Sequence, residues 1–155
     1  MATYAGFWKR FAAYIIDSII ISIACFIIIV PLLGLLGIGL FTSSHDYYGN
    51  EEVSAGFLAL FLGAYMSAII VLIIGQWLYF AIMESTKGAT LGKMALGIKV
   101  TDMNGSMISF GRATGRYFGK ILSGLILYIG FIMAAFTQQK QALHDIMAGT
   151  LVVNK

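Results

Sequence analysis

The chain has 155 residues, of which 59% are hydrophobic and only 11% are charged, and its formal net charge is +3. A soluble domain is closer to half apolar and a quarter charged. This composition excludes an ordinary soluble enzyme and indicates a protein whose apolar surface faces a lipid bilayer. The 18 glycines and the single proline suit packed membrane helices, where small residues allow close approach.

The first long apolar run extends from Phe11 to Phe41 and is interrupted by one charge, Asp17. A spanning helix needs about 20 apolar residues, so we predict a transmembrane helix over about residues 11–33. The run exceeds the roughly 7–15 apolar residues of a signal peptide, so we expect an anchor that stays in the protein. Pro31 is expected to kink or shorten this helix.

Two further apolar runs follow. Residues 53–83 contain no charge and predict a second transmembrane helix over about residues 57–83. The run from Ile121 to Thr137 is only just long enough to cross a bilayer, at about 1.5 Å of rise per residue. We therefore predict a third helix over residues 117–137 that is either a crossing or a re-entrant, tilted segment.

Basic residues predict the orientation. Lys9 and Arg10 precede the first helix, the loop over residues 42–52 carries only acidic charges, and six lysines and arginines lie within residues 84–120. By the positive-inside rule, the N-terminus and the segment 84–116 are expected in the cytoplasm. We expect a multi-pass protein of the cell inner (cytoplasmic) membrane. The side of the C-terminus stays open, with the cytoplasm favoured.

The segment 84–116 carries a signal for a small β element. Ile98–Thr101 alternates in polarity, Asp102–Gly105 supplies turn residues, and Met107–Ser109 would return as a second strand. This pattern predicts a short cytoplasmic β-hairpin. Thr150–Val153 is expected to join it, because an isolated hairpin is only marginally stable.

Asp17 is the most informative single residue. It follows Arg10 by seven positions, two helical turns, which places both side chains on one face about 10 Å apart along the axis. Tyr14 lies between them on that face, and Ser18 extends it. A carboxylate inside a bilayer is costly unless it faces protein or water, so this face is expected to meet another helix or a polar cavity.

Two interpretations of Asp17 are open. A desolvated carboxylate has a raised pKa and suits binding and release of a proton or a cation. Alternatively, Asp17 is a packing carboxylate that pairs with a basic residue such as Arg112 or Arg116.

His144 and Asp145 form a second candidate pair. Asp145 is either a second carboxylate near the membrane, facing Arg10, or a helix-end aspartate beside a solvated histidine. His45 and His144 are the only histidines in the sequence, which excludes a histidine-rich metal site. No metal or other cofactor is expected, and a Ser-His-Asp catalytic site would have to be built from generic parts.

The sequence contains two glycine patterns. Gly88–Lys93 resembles a phosphate-binding loop but has one residue too few between its glycines and no serine or threonine after the lysine, so nucleotide binding is rejected. Gly111, Gly115 and Gly119 repeat the small-xxx-small spacing of close helix packing. The basic residues among them are expected to contact anionic lipid and not nucleic acid.

Four ordered motifs together resemble the RDD family, which is named for one arginine and two aspartates. The motifs that carry the resemblance are Phe7–Ala13, Tyr14–Asp17, Thr90–Val100 and Gln141–Thr150. The family's three residues correspond here to Arg10, Asp17 and Asp145. The resemblance implies a small bacterial or archaeal membrane protein, and some family members are associated with exchange of sodium or other monovalent cations for protons.

The sequence thus predicts an all-α membrane protein with two or three transmembrane helices and a short cytoplasmic β-hairpin. The first functional hypothesis is a transporter component that exchanges monovalent cations for protons. Asp17 would bind the ion, while Arg10 and Asp145 would set its charge state, with Tyr14, Ser18 and His144 in support. So few helices cannot easily enclose a polar pathway, which predicts a homo-oligomer or a membrane-protein partner.

The alternative hypothesis is a module without transport activity that assembles or stabilises a larger membrane complex. The charged residues would then hold helices together. An enzyme is the least supported option, because no nucleophile and base stand in a recognisable pattern.

Overall fold

A computed structural model describes residues 3–47 and 55–155. In chain order its elements are α1 (Phe7–Tyr47), α2 (Ala55–Thr86), α3 (Leu91–Ala95), β1 (Ile98–Asp102), α4 (Phe110–Leu125), α5 (Ile129–Ile132), a 3₁₀ turn (Met133–Ala135), α6 (Leu143–Ala148) and β2 (Thr150–Asn154). The prediction of a mostly helical chain with a small β element is confirmed.

The chain separates into two compact units. One comprises Met1–Ile19 and Gln76–Lys155, and the other comprises Ile20–Gly75. The first unit holds the sheet and the candidate residues Arg10, Asp17 and Asp145, so the functional site is built within it. In the second unit, large apolar side chains are exposed along the helices, which is the surface that a lipid environment covers.

Two helices are long and apolar enough to cross a membrane, over Phe7–Leu35 and Ala59–Thr86. Both α1 and α2 extend beyond the predicted bounds of 11–33 and 57–83. Helix α1 continues through Pro31 to Tyr47, so Pro31 does not end the helix.

The third apolar run is not one continuous helix over residues 117–137, and that prediction is corrected. Helix α4 ends at Leu125, and the chain turns by 116° before α5. Leu127 and Tyr128 both adopt positive φ, at 49° and 61°, which a helix does not tolerate. Gly130 then packs on Ser123, because a Cβ at Gly130 would lie 2.6 Å from Ser123 Oγ. The run therefore folds back on itself.

Strands β1 and β2 form an antiparallel two-stranded sheet in which Val100 lies opposite Val152 and Asp102 lies opposite Thr150. The pairing of the C-terminal segment with the first strand is as expected. The predicted local hairpin is wrong, because Met107–Ser109 is not a strand.

The turn after β1 explains this difference. The carboxylate of Asp102 accepts hydrogen bonds from the backbone N–H groups of Asn104, at 2.9 Å, and Ser106, at 2.8 Å. Ser109 then begins α4, where its side chain accepts from the N–H of Arg112 at 3.4 Å. The turn residues thus lead into a helix instead of a returning strand.

The segment before α1 adds to the same sheet. Tyr4 forms a β-bridge with Val153, and the backbone N–H of Ala5 donates to the carbonyl of Val152 at 2.9 Å. On the other side of the bridge, the N–H of Asn154 donates to the carbonyl of Thr3 at 2.9 Å. The core beneath the sheet consists of buried small and branched side chains: Ala5, Ala13, Ala81, Ile98, Val100, Ile108, Ala113 and Val152.

Candidate functional site

The Arg10 guanidinium joins the start of α1 to α6. Its Nη1 donates to Asp145 Oδ2, and its Nε donates to the carbonyl of Ala5 at 2.9 Å. The Asp145 carboxylate is fully buried, while the Arg10 side chain is 12% exposed. Asp145 Oδ2 also accepts from the backbone N–H of Ala142 at 3.1 Å, which fixes the carboxylate at the first turn of α6. The structure therefore brings two of the three family residues into direct contact.

Arg116 lies at the centre of a wider buried network. Its Nη2 lies 2.9 Å from Asp145 Oδ1, and its Nε lies 3.2 Å from Glu84 Oε2. Its Nη1 donates to Thr150 Oγ1 at 2.8 Å. Both Arg116 and Glu84 are 1% exposed. One side chain on α4 therefore connects the ends of α2 and α6 with β2.

Glu84 also faces two lysines. Its Oε1 accepts from Lys93 Nζ at 2.5 Å and lies 3.5 Å from Lys120 Nζ. Lys120 Nζ also lies 4.4 Å from the centre of the Phe80 ring, a cation–π contact. Burial lowers the pKa of Lys93 to about 8, although the negative charge of Glu84 acts in the opposite direction. Glu84 is not among the candidate residues predicted from the sequence. The feature that points to it is its position directly after 31 uncharged residues.

His144 is buried beside Asp145 and is not a solvated histidine, so that interpretation is wrong. Its Nε2 lies 3.5 Å from Asp145 Oδ1, and its ring centre lies 5.2 Å from that of Phe131. Its Nδ1 is buried without a hydrogen-bond partner in the described part of the chain. Burial lowers the pKa of His144 to about 3, although Asp145 acts to raise it, so the ring is neutral near pH 7.

The charge state of Asp145 differs from that of the neutral His144. Burial alone would raise the pKa of its carboxyl group, but the positive charges of Arg116 and Arg10 hold that pKa well below its ordinary range. Asp145 is thus a permanent anion that holds two arginines, and it does not exchange protons near neutral pH.

Asp17 has different surroundings. Its carboxylate is 1% exposed and accepts three hydrogen bonds from uncharged donors. The Tyr79 hydroxyl donates to Oδ1 at 2.9 Å, the Thr90 hydroxyl donates to Oδ2 at 2.5 Å, and the Gly92 N–H donates to Oδ1 at 2.7 Å. Helix α1 thus meets α2 and the start of α3 at this one carboxylate.

The predicted pairing of Asp17 with Arg112 or Arg116 is wrong. Arg116 is committed to the network around Glu84, and Arg112 lies 3.9 Å from the carboxylate of Asp102. Across residues 3–47 and 55–155, no ion pair joins Asp17 to a lysine or an arginine. Asp17 is therefore a buried carboxylate with polar partners but without a countercharge.

Gly92 explains how α3 approaches α1 so closely. A Cβ at this position would lie 2.2 Å from the carbonyl oxygen of Ala13 and 2.9 Å from Asp17 Cγ. The Tyr79 hydroxyl reinforces the contact, because it also accepts from the backbone N–H of Leu91 at 3.1 Å. The segment that faintly resembles a phosphate loop in fact holds a carboxylate.

The residues predicted to support Asp17 and to pack helices lie in several different surroundings. Tyr14 is 54% exposed, and neither Tyr14 nor Ser18 hydrogen-bonds to Asp17 among the described contacts. Gly119 packs closely on α6, where a Cβ would lie 2.9 Å from His144 Cβ. Gly111 and Gly115 have open space above them. Of the three glycines, only Gly119 serves helix packing within the chain.

A cavity of about 310 Å³ lies beside the charged network. Four basic side chains line it, those of Arg10, Lys93, Arg116 and Lys120, and most of the remaining wall is aromatic or aliphatic. Asp17 is not among its lining residues. In the described ranges, no three histidine, cysteine, aspartate or glutamate side chains are arranged to hold a metal ion.

The RDD family profile matches residues 4–149, nearly the whole chain, and includes Arg10, Asp17 and Asp145. The chain belongs to the RDD family. Within it, the three residues that give the family its name fall into two sets of contacts. Arg10 and Asp145 share one buried ion pair, whereas Asp17 is held separately by Tyr79 and by the start of α3.

Three relatives from Bacillus subtilis (strain 168) match this RDD protein over nearly its full length. YxaI is 41% identical, with 97% of each chain covered. The membrane protein YteJ is 31% identical, with 98% of this chain and 82% of YteJ covered, and YckC is 30% identical, with 96% and 83% covered. No solved structure matches. These likenesses, with the two candidate spans, support a membrane protein.

Proposed function

We propose that this RDD-family membrane protein is a transporter component, not an enzyme, and that it exchanges a monovalent cation for a proton at Asp17. The observation that carries the proposal is the buried Asp17 carboxylate, which has no countercharge among residues 3–47 and 55–155. An ionised carboxylate is expensive in such surroundings unless a proton or a cation neutralises it, so its occupancy responds to both.

The two hydroxyl groups around Asp17 suit this exchange. A hydroxyl group is both a donor and an acceptor, so those of Tyr79 and Thr90 donate to the empty carboxylate and can turn their oxygens toward a bound cation. Carboxylate and hydroxyl oxygens are hard ligands of the kind that small hard cations prefer. Replacement of one proton by one monovalent cation leaves the charge of the site unchanged. The two ions therefore compete for Asp17.

Arg10 and Asp145 have a positioning role in this proposal. Their contact fixes the first turn of α1 against α6, two helical turns before Asp17. Since the low pKa of Asp145 keeps its carboxyl group charged, this pair does not carry protons. We propose that it holds α1 in register with α3, so that Asp17 meets the Gly92 N–H.

Two long helices and one folded-back segment are too few to enclose a polar ion pathway. We therefore propose that copies of the chain assemble in the cytoplasmic membrane. The exposed face at Gly111 and Gly115 is the proposed contact, because among the described residues no side chain and no other segment lies within 4 Å of a Cβ built on either glycine. We further propose that the N-terminus lies in the cytoplasm, as the basic residues Lys9 and Arg10 favour.

The test is sodium-driven proton movement in proteoliposomes that contain only this protein, compared with its Asp17→Asn variant. Asparagine keeps the size of the side chain and one acceptor oxygen but cannot ionise. We expect exchange by the wild type, and a loss of at least about tenfold in a variant that still elutes as a folded species, equivalent to about 1.4 kcal/mol. Arg112→Gln is the matched control, because it removes an exposed charge whose ion-pair partner is Asp102 and not Asp17.

A module without transport activity that assembles a larger complex is the second candidate. The observation that favours it is the network around Arg116, which ties α2, α4, α6 and β2 together. It predicts no exchange of any of several monovalent cations by well-folded wild type. It also predicts that Asp17→Asn lowers the stability or assembly of the protein.

A further inference from the structure

The cavity in the first unit has a strongly asymmetric charge. Arg10, Lys93, Arg116 and Lys120 all line it, and the carboxylates that face them belong to Glu84 and Asp145 alone among the described residues. This cluster therefore carries two more positive than negative charges. Two carboxylates balance only two of the four positive charges in this largely buried cluster, so the cluster as it stands favours an additional anion.

Several donors along this wall have no protein partner in the described part of the chain. Arg10 Nη2 is buried without a hydrogen bond, although Nε and Nη1 of the same guanidinium are both engaged. Lys93 and Lys120 share a single oxygen of Glu84. An ammonium group has three donors, so each lysine keeps donors available for a ligand.

The rest of the wall is apolar. Phe7, Phe11, Phe131 and Ile132 line it, and Tyr128 stands 67% exposed at its edge. The volume of about 310 Å³ lies at the lower end of ligand pockets, which span about 300–1,000 Å³. The cavity thus combines a cationic side with an aromatic side, and it suits a ligand that has an anionic head and a hydrocarbon body.

We propose that this cavity binds a phosphate monoester carried on a lipid, with the phosphate group among Arg10, Lys93 and Lys120 and the first acyl carbons against the phenylalanine wall. A phosphate monoester carries a charge of about −1.5 to −2 at pH 7, which matches the excess of the cluster. Its oxygens accept charge-assisted hydrogen bonds from arginine and lysine. The site is independent of the proposed ion exchange, because Asp17 does not line it and four cations would repel a monovalent cation.

The test uses the full chain in a non-ionic detergent, with three probes at equal concentration: dihexanoyl phosphatidic acid, dihexanoyl phosphatidylcholine and inorganic phosphate. Thermal unfolding gives the shift in the midpoint and the apparent Kd for each probe. We expect the phosphatidic acid to raise the midpoint in a saturable manner and the phosphatidylcholine to leave it unchanged. Inorganic phosphate is expected to bind at least about tenfold more weakly, since it lacks the apolar contacts.

Lys120→Gln is the variant of choice, because its 3.5 Å contact is longer than the other lysine and arginine contacts to Glu84 and its side chain is 19% exposed. Loss of one charge-assisted hydrogen bond should weaken phosphatidic acid about tenfold, while Lys120→Arg should restore binding. Lys87→Gln removes the same charge from an exposed residue outside the cavity and should bind like the wild type.

Each outcome decides the matter. No saturable shift with phosphatidic acid, or equal weakening by Lys87→Gln and Lys120→Gln, would overturn the site. Equal affinity for inorganic phosphate would keep the phosphate site and overturn its assignment to a lipid. Because the readout is binding and not ion flux, loss of exchange in Asp17→Asn leaves this result unaffected.

Discussion

The guanidinium of Arg10 contacts the carboxylate of Asp145, 135 residues further along the chain. This pair fastens the first turn of α1 to α6, and Arg116 shares the same carboxylate from α4. Three helices that are distant in the sequence therefore depend on one buried anion.

Removal of that anion is the first prediction. Asp145→Asn should lower the free energy of unfolding by about 3–5 kcal/mol, because two buried arginines lose their shared partner. Unfolding in mixed detergent micelles, followed by circular dichroism, measures this change. Arg112→Gln breaks a long ion pair whose arginine is 52% exposed and should cost no more than about 1 kcal/mol. If both variants lost a similar free energy of unfolding, the buried ion pair would contribute no more to stability than the exposed one.

The second prediction concerns Gly92. Gly92→Ala should destabilise the protein by about 1–3 kcal/mol, because its Cβ would overlap the carbonyl of Ala13 and separate α3 from Asp17. Thermal unfolding in detergent provides the measurement. Gly124→Ala is the matched control and should be neutral or stabilising by up to about 1 kcal/mol, since that helical position in α4 has open space. Tolerance of alanine at position 92 would contradict the close contact seen here.

The third prediction tests whether the hydroxyl group of Thr90 takes part in ion binding beside Asp17. Under the proposed exchange, Thr90→Val should raise the cation concentration for half-maximal exchange about tenfold, because it removes one hydrogen-bonding oxygen beside Asp17. Thr90→Ser keeps that oxygen and should exchange like the wild type. The readout is the sodium dependence of proton movement in proteoliposomes. Equal half-saturation in both variants would remove Thr90 from the ion site.

The fourth prediction is a dependence of stability on pH. His144 has a pKa of about 3 in the folded protein and an ordinary value of 6.5. As the pH falls below 6.5, the unfolded chain takes up a proton that the folded protein does not, so stability should fall by about 1.4 kcal/mol per pH unit. Thermal midpoints at pH 7.5, 6 and 5 measure the slope. His144→Gln should flatten it, and an unchanged slope would assign the effect to another group.

The sequence predicts the main features of the fold because they depend on local composition. Two long apolar runs, the first with a single charge and the second with none, are enough to predict α1 and α2, and the alternation in Ile98–Thr101 is enough to predict β1. The partner of β1 could not be read in this way. Met107–Ser109 has strand-like residues and follows turn residues, but the Asp102 side chain caps that turn and directs the chain into α4.

The candidate site was predictable in its residues but not in its pairing. Arg10, Asp17 and Asp145 stand out because charges are scarce in an apolar chain. Which charges meet depends on contacts between segments more than 70 residues apart, such as Gly92 with Asp17. Glu84 does not stand out in the sequence, because a carboxylate at a helix end is ordinarily solvated; here Lys93 of α3 and Arg116 and Lys120 of α4 contact it, and it is 1% exposed.

The hydrogen bonds of Ala5 and Thr3 to β2 have a consequence for membrane topology. The segment before α1, strand β1 after α2 and strand β2 after α6 all belong to one sheet, so in a membrane all three must lie on the same side. The number of crossings between any two of them is therefore even. If the two candidate spans in α1 and α2 cross the membrane, they supply one crossing out and one back. The folded-back run of α4 and α5 would then have to enter and leave by the same leaflet, so reporter tags placed before Thr3 and after Asn154 would label a single face.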